Sequence, residues 1–117
     1  TYRGLLDQAR QANPALKIVL CTPFAAPCGK IVEGALGEYY PLRQRILAQC
    51  CVIVERIAAD YGATLVPFHR LIADLETRLP NGDATYWVWD GIHPTPAGQR
   101  LMADCWIGAA ARNGVME

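Results

Sequence analysis

Two short apolar segments, Ile18–Cys21 and Thr64–Phe68, lie on either side of a long stretch with helical periodicity. Short apolar runs of this kind are typical of parallel strands that are buried on both faces. A strand, a helix and a second strand in this order predict a crossover connection between two parallel strands of one sheet. The sequence therefore predicts an α/β fold.

Helical signals occur at both ends of the chain and around the second strand. The predicted helices cover residues 2–12, 41–61, 71–79 and 96 to about 112. The helix at 41–61 carries one apolar stripe with spacings of three and four, which predicts a buried face; its members are Leu42, Ile46, Cys50, Ile53, Val54, Ile57 and Tyr61. Gly62 follows as the expected C-terminal stop. Residues 23–38, which contain Gly and Pro, are predicted to be a loop, and residues 80–83 a turn.

The stretch from Trp87 to Gly98 reads WVWDGIHPTPAG, and it places Asp90 and His93 three residues apart. In a nucleophilic hydrolase, an Asp–His pair acts as an oriented base. The carboxylate fixes the tautomer of the imidazole, and the other ring nitrogen takes a proton from the nucleophile. Between them, Gly91 permits a tight turn, and Ile92 is expected to anchor that turn in the core.

A helix start follows this pair directly. Thr95 suits the N-cap and Pro96 the first helical position. An Asp that caps a turn beside a surface His would also explain a bare Asp-x-x-His. The Gly, the prolines and the helix start shift the interpretation towards a catalytic pair.

A nucleophile is missing, because the sequence contains no serine. A cysteine could serve instead, with Cys21 and Cys28 as the candidates. Cys21 falls inside a strand, which predicts an inert thiol. Cys28 follows that strand in the loop and is expected to be more accessible.

The block Asp90-Gly-Ile-His-Pro-Thr-Pro-Ala-Gly98 resembles the last conserved block of the SGNH (GDSL-type) hydrolases, a family of esterases and lipases. The order of helices and strands is similar to the C-terminal half of that family. The resemblance implies a Ser-His-Asp triad with Asp90 as the orienting acid and His93 as the general base. It also implies a three-layer α/β/α sandwich (flavodoxin-like) with about five parallel strands, of which this chain would supply about the last two.

The chain departs from the family in its other blocks. The family's Gly-Asp-Ser nucleophile block, its oxyanion glycine and its Gly-x-Asn-Asp block have no counterpart here, since Asn13 and Asn81 stand in other contexts. We therefore expect residues 1–117 to be the C-terminal portion of a single hydrolase domain. Alone, this portion should be inactive and should either form a homo-oligomer or associate with the missing N-terminal half. The alternative is a non-catalytic binding or assembly module with an SGNH-like fold.

Aromatic residues near the motif are candidates for substrate binding. Trp87 and Trp89 could form an apolar or sugar-stacking wall, and Phe24 lies after a strand end, where α/β sheets place their ligands. Core packing would explain Trp87 and Trp89 equally well, and a plain solvent loop would equally explain the stretch that begins at Phe24. His69 is interpreted as structural, and two acids of the helix at 71–79, Asp74 and Glu76, as solvated.

Composition limits the partners. The formal net charge is zero, no basic run occurs, and no apolar run reaches the roughly 20 residues of a membrane span. We expect a small ester substrate (an acylated sugar or a lipid-like ester), no nucleic acid, no membrane span, no metal and no cofactor. The five cysteines, none in a C-x-x-C pair, weakly favour a reducing cytoplasm. Secretion remains compatible with a chain whose start is missing.

Overall fold

A computed structural model describes residues 1–79 and 83–116 of the chain. The elements, in chain order, are α1 (Tyr2–Ala12), β1 (Val19–Cys21), α2 (Gly34–Glu38), α3 (Tyr40–Tyr61), β2 (Thr64–Val66), α4 (Phe68–Arg78) and α5 (Pro96–Arg112), with short 3₁₀ helices at Gly29–Val32 and Ala84–Tyr86.

The sheet consists of β1 and β2, which run parallel with Leu20 opposite Leu65. The prediction of two parallel strands joined by a helix is confirmed. Both strands are shorter than predicted. β2 ends at Val66 because Pro67 lacks the N–H that would continue the ladder, and Phe68 already belongs to α4.

The main apolar core joins α1, α3 and the start of the sheet. Its buried members are Leu6, Ile18, Leu20, Val54, Ile57 and Ala58. The remaining long helix, α5, contacts β2 and α4. Within the described residues, no helix is both long enough and apolar enough to cross a membrane.

A second apolar cluster lies among the loop after β1, α4 and the segment before the Asp90 turn. Its buried members are Ala26, Cys28, Ile72, Ala84 and Val88. This cluster joins parts of the chain that are 60 residues apart. Within it, the Cys28 thiol donates to the carbonyl oxygen of Val88 at 3.0 Å. It forms the support on which the candidate site rests.

The stripe predicted on α3 is buried only in its C-terminal half. Val54 and Ile57 are in the core, but Leu42, Ile46 and Ile53 are 46–55% exposed. Cys51 and Ala58 are buried although neither belongs to the stripe. The stripe is too wide for one interface: one edge faces the core, and the described residues do not cover the other.

Two other predictions of secondary structure, one loop and one helix, need correction. Residues 23–38 are not a plain loop, because they contain the 3₁₀ helix Gly29–Val32 and the short helix α2. Each of these helical segments begins at a glycine with a positive φ, 63° at Gly29 and 51° at Gly34, which other residues rarely adopt. The helix predicted at 71–79 starts three residues earlier, at Phe68. Most of the predicted turn at 80–83 lies outside the described residues; Asp83 caps the next 3₁₀ helix.

Neighbouring leucines on α1 test the main core. Leu6 is 9% exposed, whereas Leu5 is 64% exposed. We expect Leu6→Ala to lower the free energy of unfolding by about 2–5 kcal/mol, because it leaves a cavity. Leu5→Ala should change it by less than about 0.5 kcal/mol. Urea denaturation of both variants measures the difference, and equal losses would contradict the packing of α1 on α3.

Candidate active site

Asp90 and His93 form a closed turn. Oδ2 of Asp90 lies 2.6 Å from Nδ1 of His93, and Oδ1 accepts the backbone N–H groups of Ile92 at 3.0 Å and of His93 at 2.7 Å. An ionised carboxylate only accepts hydrogen bonds, so Nδ1 carries the proton in this pair. In the neutral ring, Nε2 is then the basic nitrogen.

The hydrogen bonds also fix the charge of the acid. The backbone N–H of His93, followed by its ring N–H, holds the pKa of Asp90 at about 2, below the ordinary 3.8. Asp90 is therefore a carboxylate at neutral pH, as an orienting acid must be.

The two side chains differ in exposure. The Asp90 side chain is 15% exposed and that of His93 69%. Among the described residues, Nδ1 is the ring atom of His93 that makes a hydrogen bond. The indole of Trp89 stacks beside the imidazole, with ring centroids 6.1 Å apart and planes at 25°. Nε2 is thus open to a group that approaches from solvent.

The ends of this loop are tied together at the start of α5. Val88 and Pro94 form an antiparallel bridge, and the Thr95 N–H donates to the carbonyl of Trp87 at 2.9 Å. The Thr95 hydroxyl accepts the Gly98 N–H at 3.1 Å. The predicted N-cap at Thr95 is confirmed, and it fixes the loop to the helix that follows.

Residues 26–31 support the turn from the side of the core. The Ala26 N–H donates to the carbonyl of Gly91 at 2.9 Å. A Cβ atom on Gly29 would lie 2.6 Å from the Cα of Asp90, and one on Gly91 would lie 2.6 Å from the carbonyl oxygen of Cys28. Two glycines therefore allow two backbones to touch. This support was not predicted from the sequence, although a glycine next to Cys28 indicates a site where two backbones can approach closely.

Val88, and not Ile92, anchors the turn. Val88 is fully buried, whereas Ile92 is 42% exposed. The expectation for Ile92 was wrong because the turn directs both of Asp90's hydrogen-bonded neighbours, Ile92 and His93, outwards.

The three predicted substrate-binding aromatics lie in different places. Trp89 is 56% exposed and lies beside His93. Trp87 packs against the second apolar cluster and is half-buried. Phe24 packs against the same cluster and lines a cavity between α3 and α4 to which neither Asp90 nor His93 contributes.

The two candidate cysteine nucleophiles are placed opposite to expectation. Cys21 is exposed at the end of β1, and Cys28 is buried, because the loop after β1 turns into the second apolar cluster. Desolvation raises the pKa of both thiols. A raised pKa lowers the thiolate fraction, so neither has the environment of an activated nucleophile.

His69 belongs to a polar network at the ends of the strands. Its Nδ1 lies 2.7 Å from the hydroxyl of buried Thr22, and its Nε2 lies 3.6 Å from Glu55. Burial lowers the pKa of His69. Within the described residues, no three His, Cys, Asp or Glu side chains group as metal ligands would.

The acids of α4 differ from each other. Asp74 is exposed and pairs with Arg78 at 2.7 Å. Glu76 is half-buried and lines the cavity between α3 and α4, so the expectation that it is solvated was wrong.

Comparison with known proteins identifies the class. A sequence model of the GDSL-like Lipase/Acylhydrolase family matches residues 1–101. The chain belongs to this family, and the resemblance inferred from the Asp90–Gly98 block is confirmed. No curated protein matches the chain.

A solved structure supports the same assignment. The chain is similar to a protein described as a GDSL-like lipase from Parabacteroides merdae ATCC 43184, with 29% identity and a TM-score of 0.72. The match covers 94% of this chain and 46% of that one. The chain thus spans about half the length of the structure it matches.

The two glycines of α5 test whether the backbone at Trp87 packs directly against the start of this helix. A Cβ at Gly98 would collide with the carbonyl oxygen of Trp87, whereas one at Gly108 would meet only the movable end of Arg112, at 3.3 Å. We expect Gly98→Ala to destabilise the chain by about 1–3 kcal/mol. Gly108→Ala should stabilise it by up to about 1 kcal/mol, because Ala is the better helix former. Thermal unfolding compares them, and a stabilised Gly98→Ala variant would refute the close contact.

The low pKa of Asp90 predicts a pH dependence. Folding favours the ionised form, so the contribution of this turn to stability is complete above about pH 4 and is lost as the pH falls towards 2. Between those values, the free energy of unfolding should fall more steeply for the wild type than for Asp90→Asn, which cannot titrate there. Urea denaturation at several pH values gives both slopes; equal slopes would show that Asp90 is not held as described.

Proposed function

We propose that the chain carries the acid and the base of a serine ester hydrolase. In this mechanism, Nε2 of His93 removes the proton of a serine hydroxyl as its oxygen attacks the ester carbonyl. The imidazolium, stabilised by Asp90, then protonates the departing alcohol. Water deprotonated by the same nitrogen cleaves the acyl-serine, releases the acid and restores the serine.

One observation carries the proposal. Asp90 holds Nδ1 of His93 at 2.6 Å while the rest of the ring stays largely open to solvent. A turn that needed only a cap would use Oδ1, which already accepts two backbone N–H groups. Closing the turn does not require the contact between Oδ2 and the imidazole, so that contact points to a separate role for the ring. Membership of the GDSL-like lipase/acylhydrolase family supports the same interpretation.

The nucleophile and the oxyanion donors would come from protein outside these residues, since the sequence has no serine. We place the chain as the last two strands and their helices in a three-layer α/β/α sandwich. Within the described residues, β1 pairs only with β2, so its other edge is available for a further parallel strand. The similarity to about half of a longer GDSL-like lipase structure supports this placement.

Trp89 is the best-placed of the three aromatics to contact substrate, because its exposed indole lies against the imidazole. A flat apolar wall at that point suits an acyl chain or a sugar ring. We therefore keep a small ester, either an acylated sugar or a lipid-like ester, as the substrate class. Trp87 and Phe24 would act indirectly, by filling the cluster beneath the turn.

The exposed apolar edge of α3 is the surface where we propose association, with the rest of the domain or with a second copy. Leu42, Ile46 and Ile53 are each about half exposed there. Light scattering of the 117-residue chain distinguishes a monomer from an oligomer; a well-folded monomer at high concentration would argue against the second copy.

The catalytic proposal is tested in a protein that also contains the serine block. There, His93→Ala should remove most of kcat with little change in melting temperature. Asp90→Asn should cost up to about 10⁴-fold in kcat, the figure known for the equivalent change in a serine protease, because the wrong imidazole tautomer is favoured. Asp104→Asn, an exposed acid on α5, is the control and should leave kcat unchanged. Hydrolysis of a short p-nitrophenyl ester is the assay.

The same assay separates the alternative, a non-catalytic module, which the absence of serine favours for the chain alone. The 117-residue chain by itself should not turn over the ester. Turnover that disappears in His93→Ala would instead indicate a cysteine nucleophile. A different result for the serine-containing protein is that Asp90→Asn and His93→Ala each lower the melting temperature but leave kcat per folded molecule unchanged. That result would show that the pair is structural, and it would contradict the proposal.

A further inference from the structure

The cavity between α3 and α4 is not lined by any residue of the Asp90 turn. Its volume is about 270 Å³, and it is bounded by α3, α4 and the start of the loop after β1. This is larger than a cavity of about 150 Å³ that is known to admit benzene. A molecule with a single aromatic ring and one polar group therefore fits it.

The walls of the cavity combine apolar and polar side chains. Phe24, Leu47 and Cys51 supply apolar surface. The side-chain amide of Gln44 bonds to the Tyr40 hydroxyl and donates to the Ala25 carbonyl at 3.3 Å, which fixes one polar corner. Tyr40 accepts in that pair, so its own O–H proton remains available to a ligand.

The charge inside the cavity has one sign. Glu76 is among the lining residues, and no Lys or Arg is. Among the described residues, Glu76 makes no hydrogen bond or ion pair with another side chain. Burial raises the pKa of Glu76 and lowers that of His69, whose imidazole also lines the cavity. The cavity thus holds an acid that lacks a partner and an imidazole that is hard to charge.

We infer that this cavity binds a small organic cation, an amine or amidine on a compact apolar body, with Glu76 as the counter-ion. A hydrogen bond from a charged nitrogen to a carboxylate is stronger than a neutral one, and partial desolvation strengthens it further. The apolar body would contact Phe24 and Leu47. This site is distinct from the Asp90–His93 pair, and it does not depend on the proposed esterase activity.

Benzamidine and benzamide test this assignment, because they have nearly the same shape and differ in charge. Isothermal titration calorimetry on the 117-residue chain at pH 7 should show benzamidine binding at least tenfold more tightly than benzamide. In Glu76→Gln, which keeps the side-chain volume, benzamidine affinity should fall about tenfold or more, and benzamide affinity should change little. Asp74→Asn removes an exposed acid two residues away on the same helix and should leave both affinities unchanged.

The position of binding is read from amide chemical shifts in an NMR titration. Benzamidine should shift Leu47 and Ala73, which line the cavity, and leave His93 unmoved. The inference is overturned by equal affinities for the two probes, by no binding of benzamidine, by equal losses in Glu76→Gln and Asp74→Asn, or by shifts centred on His93. None of these results bears on ester hydrolysis, so the cation site and the proposed esterase function are tested independently.

Discussion

The candidate site depends on the hydrogen bonds that the carboxylate of Asp90 accepts. One oxygen closes the turn by accepting two backbone N–H groups, and the other holds the ring of His93. Because both oxygens are occupied, the side chain cannot adjust one contact without straining the other. The shape of the turn and the tautomer of His93 are therefore set by the same group, and the low pKa of Asp90 keeps that group charged at neutral pH.

A turn of this kind still needs a rigid support, and it comes from a distant part of the sequence. The loop after β1 reaches the turn through the Ala26 N–H and the Cys28 thiol. Gly29 and Gly91 let the two backbones approach to a distance that a Cβ would prevent. The loop after β1 and the Asp90 turn therefore hold each other in place. A change in the loop after β1 would therefore move Asp90 without contacting its side chain.

The features that the sequence predicted well are local. Asp90, His93 and the Thr95 cap lie within six residues, and their spacing alone determines that they can meet. The bounds of α1 and α5 follow from capping residues in the same way. The failures concern tertiary contacts. Whether Cys28 or Cys21 is buried depends on the path of the loop after β1, and the burial of α3 depends on which elements lie beside it. Periodicity identifies an apolar face, but it cannot say whether that face is covered.

The openness of His93 has a consequence for the proposed chemistry. The side chain of His93 is 69% exposed, so most of the ring faces water, which screens charge and weakens electrostatic stabilisation of a transition state. Catalysis by acyl transfer needs oxyanion donors in a site from which water is excluded. Under the proposed function, the protein that supplies the serine must therefore also cover this side of the ring. The exposed Trp89 stacked against the imidazole would then become one wall of an enclosed pocket, and substrate selection would depend on a surface that these residues provide only in part.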